Sequence, residues 1–187
     1  GSGAATVTGT GSRPRVAGPV IIGSAGWGTL TVADDAEVDV GTDLTTSDPA
    51  GAPYGQLSLV GGSVYVSNDF INGGSLYFAD GLLQVTGDFQ VSAIATAFTL
   101  NGSNYDDLPT LDLIGAGTTT NMTSLTVGNN RRGQLLLRQG RALDVGAGEA
   151  TDAQSEAAVL AIRELRATYI PEAFGDSGVR VLVGGDT

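Results

Sequence analysis

The chain has 187 residues, 41% hydrophobic and only 16% charged, and its 20 acids against 9 bases give a net charge of −11. Every base is Arg, and Lys, Cys and His are absent. This excludes disulfides, thiol nucleophiles, histidine-based triads, Schiff-base lysines and zinc sites of the nitrogen–sulfur kind.

The single basic cluster (Arg131, Arg132, Arg138 and Arg141) is interrupted and too small to neutralise phosphate. Neither nucleic acid nor an anionic membrane is therefore an expected partner. No apolar run is long enough to span a membrane. The length allows one domain, or two small ones, with a sizeable core. The chain starts at Gly1 rather than Met, which is open to three origins: a processed secreted form, a fragment, or an appended Gly-Ser-Gly.

In chain order, "VTGTGS" (7–12) leads through "VIIG" (20–23) into a block that recurs. The block reads "GTLTVADDAEVDVG" (28–41), "GQLSLVGGSVYVSN" (55–68), "GSLYFADGLLQVTG" (74–87) and "GQLLLRQGRALDVG" (133–146). Each copy opens with Gly, alternates apolar and polar residues, passes a polar or glycine turn, and alternates again. Leu57/Leu59 and Val64/Val66 show the pattern. Period-2 alternation bounded by Gly, Asp and Asn predicts short half-buried strands joined by tight turns. "LIGAGT" (113–118) and "LTVG" (125–128) lead into the last block as the N-terminal pair leads into the first. Gly23, Gly28 and Gly41 match Gly128, Gly133 and Gly146 in spacing, and Leu30 matches Leu135. Blocks one and four carry one more residue in the turn than blocks two and three.

One such coil cannot bury its own aliphatic stripe, but stacked coils bury it as a continuous column. The fold class expected is all-β: a parallel β-solenoid over 1–150. A coil of ~20 residues gives about seven turns. Residues 98–112, with Pro109 and "SNYDD", predict a looped-out or irregular coil. Residues 151–187 form a separate C-terminal unit. "TDAQSEAAVLAIRELRAT" (151–168) predicts an α-helix with a Thr151/Gln154 capping box, ended by Pro171. "GVRVLVGG" (178–185) predicts a closing strand. This unit either caps its own solenoid or joins a neighbouring subunit.

The stretch carrying Val7, Thr8, Gly9, Gly11, Ser12, Gly23, Gly28, Thr29, Leu30, Thr31 and Val32 resembles the strand-rich repeats of bacterial autotransporter passengers and related secreted proteins. A looser match covers Leu113 to Gly146. The resemblance implies a parallel β-helix on the outside of a bacterial cell, in adhesion or surface structure. Two departures stand out: Asp34-Asp35 replaces the usual glycine pair, and no membrane-anchoring barrel is present.

The carboxylate pairs Asp34/Asp35 and Asp106/Asp107 fall in predicted turns, where Asp serves local hydrogen bonding. They are weak candidates for a Ca²⁺ site, and neither a metal nor another cofactor is expected. Neighbours on a strand face opposite ways, so adjacency alone builds no catalytic dyad, and no catalytic residue is assigned. Arg131/Arg132 occupy the turn equivalent to Gly26/Trp27, which makes Trp27, Arg131 and Arg132 candidate interface residues. The expectation is an extracellular, non-enzymatic structural protein that self-associates head to tail into a filament. The alternative is a monomeric adhesin or carbohydrate-binding solenoid, its partner a cell-surface glycan and its aromatics Trp27, Tyr54 and Tyr105. A polysaccharide lyase is a third, weaker reading.

Overall fold

The computed structural model describes residues 1–46, 55–91, 97–120, 122–128, 131–139, 141, 143 and 180–183. The chain is an all-β parallel solenoid of about five turns. The first coil holds β1 (Ser2–Thr8), β2 (Arg15–Val16) and β3 (Val20–Ile22). The second holds β4 (Trp27–Ala33), β5 (Glu37–Val40) and β6 (Leu44–Thr46). The third holds β7 (Gly55–Val66) and β8 (Phe70–Asn72). The fourth holds β9 (Ser75–Val85), β10 (Phe89–Gln90) and β11 (Ala97–Leu100). The fifth holds β12 (Thr110–Ile114), β13 (Thr119–Thr120) and β14 (Ser124–Val127). Then β15 (Gln134–Arg138) opens a further rung, and β16 (Arg180–Val183) pairs parallel to it.

Strands stack into three parallel sheets. The main sheet runs β1-β4-β7-β9-β12-β15-β16, with β5 between β2 and β7; the second runs β3-β6-β8-β10-β13; the third pairs β11 with β14. Alternation sets which residues enter the core. Val16, Val40, Val66, Val85, Leu113 and Leu137 form one column across the main sheet. All but Val16, in the end coil, are buried. A second column, Val38, Val64, Leu83, Leu111 and Leu135, lies beside it and is buried throughout. In the second sheet Phe70 and Phe89 stack with centroids 5.5 Å apart, and Phe98 meets Phe89 edge-on at 5.4 Å. These rings fill the wider part of the core.

The numbers along the Val16 column show why there are about five turns rather than seven. Successive coils take 24, 26, 19, 28 and 24 residues. Only the third matches the short period suggested by the glycines, because the others spend residues at corners outside the ladder.

The expected mid-block turns also resolve differently. In the third and fourth coils the strand runs straight through, absorbing the extra residue as a bulge at Gly61 (φ 83) and Gly81 (φ 101). Gly62 and Gly81 sit backbone against backbone, with no room for a Cβ on Gly81. In the second coil the additional residue breaks the strand into β4 and β5, with Asp34 and Asp35 both at positive φ. Asp tolerates this region better than most residues.

The fourth block is a repeat of local shape only. Gly28 and Gly133 approach the backbones of Gly23 and Gly128, and both of these have positive φ. The strand that follows, however, enters a different column: Leu30 stacks with Leu57, whereas Leu135 stacks with Leu111 and Leu83. The corner recurs, but half a strand further along the coil. Residues 98–112 are likewise not one irregular stretch, since β11 and β12 are regular strands flanking a loop over 101–109. The closing strand predicted over 178–185 is present as β16. The helix predicted over 151–168 lies outside the described residues.

Two substitutions test this core. Phe89→Ala removes the ring that touches both other phenylalanines and should cost about 3–5 kcal/mol in urea unfolding. Thr46 donates to buried Asn72 Oδ1 at 2.6 Å. Thr46→Val should therefore cost about 1–3 kcal/mol, while Thr46→Val with Asn72→Val costs less than the single change. Additive losses would contradict the pairing.

Candidate functional site

Glu37, Ser63, Leu82, Thr110 and Gln134 share a column, so the residues just before them line one side of the solenoid. Here the main sheet is broken or bulged, and side chains project where the ladder is interrupted. Hydrogen bonds tie this ridge from coil to coil. Thr8 donates to Asp34 Oδ2 at 2.6 Å, and the Asp35 N–H to Gly61 O at 2.8 Å. The Leu108 N–H donates to Asp80 Oδ1 at 2.8 Å, and the Arg131 N–H to Asn101 Oδ1 at 2.9 Å. Gly102 N–H meets Arg132 O at 2.8 Å.

The ridge contains an open groove of about 470 Å³, walled by Asp34, Asp35, Tyr77, Asp80, Asn104 and Asp107, with Val60 and Ala79 also lining it. Tyr77 is 49% exposed, and its hydroxyl lies 3.3 Å from Ser103 Oγ. Asp107 Oδ2 accepts both the backbone and the side-chain N–H of Asn104. Beside the groove Tyr105, 72% exposed, carries the Arg131 guanidinium 4.0 Å from its ring centroid.

The structure thus brings Asp34, Asp35 and Asp107 together and leaves Asp106 out of the groove lining. Among the described residues no group of three or more acidic side chains is placed to hold a metal ion. Arg131 and Arg132 lie on the same ridge, while Trp27 does not. It opens β4 opposite Ser2 and is 64% exposed, beside a groove of about 560 Å³ lined in part by Gly1–Ala5 at the first-coil end. The matching G-x4-G corners put the two turns in equivalent local shapes on different sides of the coil. Tyr54 lies outside the described residues.

The chain has no match among protein-family models, curated proteins or solved structures. The likeness to autotransporter repeats therefore rests on the residues that carry it.

A second set of acids has a different task. At the corner entering the second sheet, Asp43 Oδ1 accepts the Asp69 N–H at 3.3 Å and Asp69 Oδ1 accepts the Asp88 N–H at 2.8 Å. Asp88 Oδ1 in turn accepts from the Thr118 N–H at 2.6 Å and its hydroxyl at 3.0 Å. Each carboxylate caps the next coil. The Thr118 bonds hold Asp88 below the usual carboxylate range. Arg141 closes this corner, buried, donating to Gly87 O at 2.6 Å and Thr118 O at 2.8 Å. Burial pulls its guanidinium below the ordinary value, against the opposing pull of Asp88 and Asp69.

On the sheet face, hydrogen bonds from Arg13 and then Arg15 lower Asp39. Arg138 lies 3.1 Å from buried Asp112. The apparent basic cluster is therefore dispersed among separate roles. Sequence reasoning missed Tyr77, Asp80 and the aspartate ladder. Asp80-Gly81 aligned with Asp34-Asp35 in the blocks was the available signal for Asp80.

Asp39 and Asp88 are both depressed when folded. The stability they contribute is present above the unfolded carboxylate pKa of about 3.9 and is lost as pH falls through the folded values. Asp88→Asn keeps an acceptor but removes the titration. The acid limb of its stability–pH curve should be shallower than wild type below about pH 4, by urea midpoint. An unchanged limb would show that Asp88 is not linked to folding.

Proposed function

We propose that this chain is a non-enzymatic structural component of the extracellular surface that stacks end to end into a filament. Support comes from the first coil. Strand β1 pairs with β4 and, among the described residues, with no strand on its other side. Ala5 and Val16 are exposed there, although their column mates Leu57 and Val66 are buried. Among the described residues, the core columns therefore end in an uncovered layer. Strand β1 reads SGAATVT, without the Lys, Pro or inward charge that commonly blunts a sheet edge.

A second copy suits that edge. The strands are parallel throughout, so another copy of the same polarity extends the ladder through its last rung. Such a heterologous contact does not close, and it generates a fibre. Exposed Trp27 beside this end supplies an aromatic anchor. A carbohydrate-binding role is the second reading, favoured by the exposure of Trp27 and Tyr105.

Electron microscopy of the purified protein at near-neutral pH should show filaments with an axial repeat of at least about 24 Å, from about five turns at ~4.8 Å each. Ala5→Lys places a charge in the uncovered layer and should abolish them while leaving circular dichroism unchanged. Single short rods at every concentration would rule out end-to-end stacking. Glycan binding lost in Trp27→Ala would then select the second reading.

A further inference from the structure

We propose that Asn101 is a site of spontaneous deamidation, held inert by the residues that lead into β15 and released when that rung lifts. The change is covalent and internal to one chain, so it stands whether or not the ends stack.

Two of the seven asparagines, Asn72 and Asn101, are followed by glycine. Glycine has no Cβ to shield its amide nitrogen, and its backbone turns readily into the geometry of attack on the preceding side chain. In the reaction the Gly102 nitrogen gives its proton to a solvent base and bonds to Asn101 Cγ. The Cγ–Nδ2 bond breaks, ammonia leaves with a proton taken from solvent, and a five-membered succinimide remains. Water then opens the ring at either carbonyl. One opening gives aspartate, the other isoaspartate, whose main chain runs through Cβ and Cγ.

Contacts at both reacting groups oppose this step in the closed solenoid. The Gly102 N–H donates to Arg132 O at 2.8 Å, which retains its proton. Asn101 Oδ1 accepts the Arg131 N–H at 2.9 Å, which fixes the side-chain amide. Ring closure needs both bonds broken. Both partners belong to one dipeptide of the next coil, so a single opening frees the two groups together. Asn72 is clamped in the same manner by one residue. Thr46 donates its hydroxyl to Asn72 Oδ1 at 2.6 Å, and its carbonyl accepts the Gly73 N–H at 2.8 Å.

Position separates the two sites. Asn72 is 6% exposed and ends β8, which lies between β6 and β10 in the second sheet, so freeing it opens the phenylalanine core. Asn101 is half-buried and follows β11, which pairs, among the described residues, with β14 alone. Strand β14 contains no buried residue. Local opening costs least where few buried contacts hold an element. The two products also differ in effect. Aspartate at 101 keeps an oxygen for the Arg131 N–H and lets the rung close. Isoaspartate adds a backbone atom at a corner without spare room, where a Cβ on Gly102 would lie 2.6 Å from Asp107 O. That product holds the rung open.

Purified protein kept at mildly alkaline pH should be mapped over time by mass spectrometry, with fragmentation that separates isoaspartate from aspartate. Asn101 should convert first, at least about tenfold more slowly than in denaturing urea, with Asn72 slower still. Leu135→Ala hollows the core under β15 and should speed Asn101 several-fold while leaving Asn72 unchanged. Thr46→Val removes one clamp of Asn72 and should do the reverse. Hydrogen exchange at the wild-type Gly102 amide needs no variant, and it should respond to low urea in parallel with Asn101 conversion. Reaction of folded Asn101 at the rate seen in denaturing urea overturns the proposal. So does conversion of Asn101 no faster than Asn72, or Gly102 exchange that responds to urea differently from the deamidation.

Discussion

The parallel backbone ladder between successive coils is the constraint on which everything else depends. It holds Val40, Val66, Val85, Leu113 and Leu137 in one column although 19 to 28 residues separate neighbours along the chain. A coil alone buries little, and burial becomes complete only when a second coil covers it. Coil length can therefore vary only where the chain leaves the ladder, at bulges and corners. Chemistry-bearing side chains gather at those same places, because the core columns are filled by aliphatic and aromatic residues with few polar ones, among them the Thr46–Asn72 pair and Thr119.

Aspartate illustrates how local geometry assigns a role. Asp43, Asp69 and Asp88 each precede a second-sheet strand and face the N–H of the coil below, so their carboxylates cap the ladder. Asp34 and Asp35 occupy a broken strand, where positive φ turns their side chains toward the ridge groove. Both sets carry the same charge. One is committed to backbone donors, and the other accepts the threonine hydroxyls of the first coil beside the groove.

The solenoid also presents two different kinds of surface. Among the described residues, its first coil leaves a layer of core columns uncovered and the outer edge of β1 unpaired. Its flank presents a charged ridge with the exposed aromatics Tyr77 and Tyr105. The first is backbone edge and apolar side chain, the second charge and aromatic ring.

The sequence by itself determined the fold class, because period-2 alternation punctuated by glycine leaves few alternatives to stacked strands. It also located the turn at Asp34-Asp35 and a strand over 178–185, seen at Arg180–Val183. Only the tertiary structure decided register. "GQLLLRQ" looks like "GTLTVAD" because the G-x4-G corner is a local shape, yet Leu135 and Leu30 belong to different columns. It likewise decided that Asp34, Asp80 and Asp107 share a groove and that Trp27 and Arg131 do not share a side. Alternation reports which face of a strand is buried. Which coil lies above or below depends on residues spent at corners, and those leave no periodic trace.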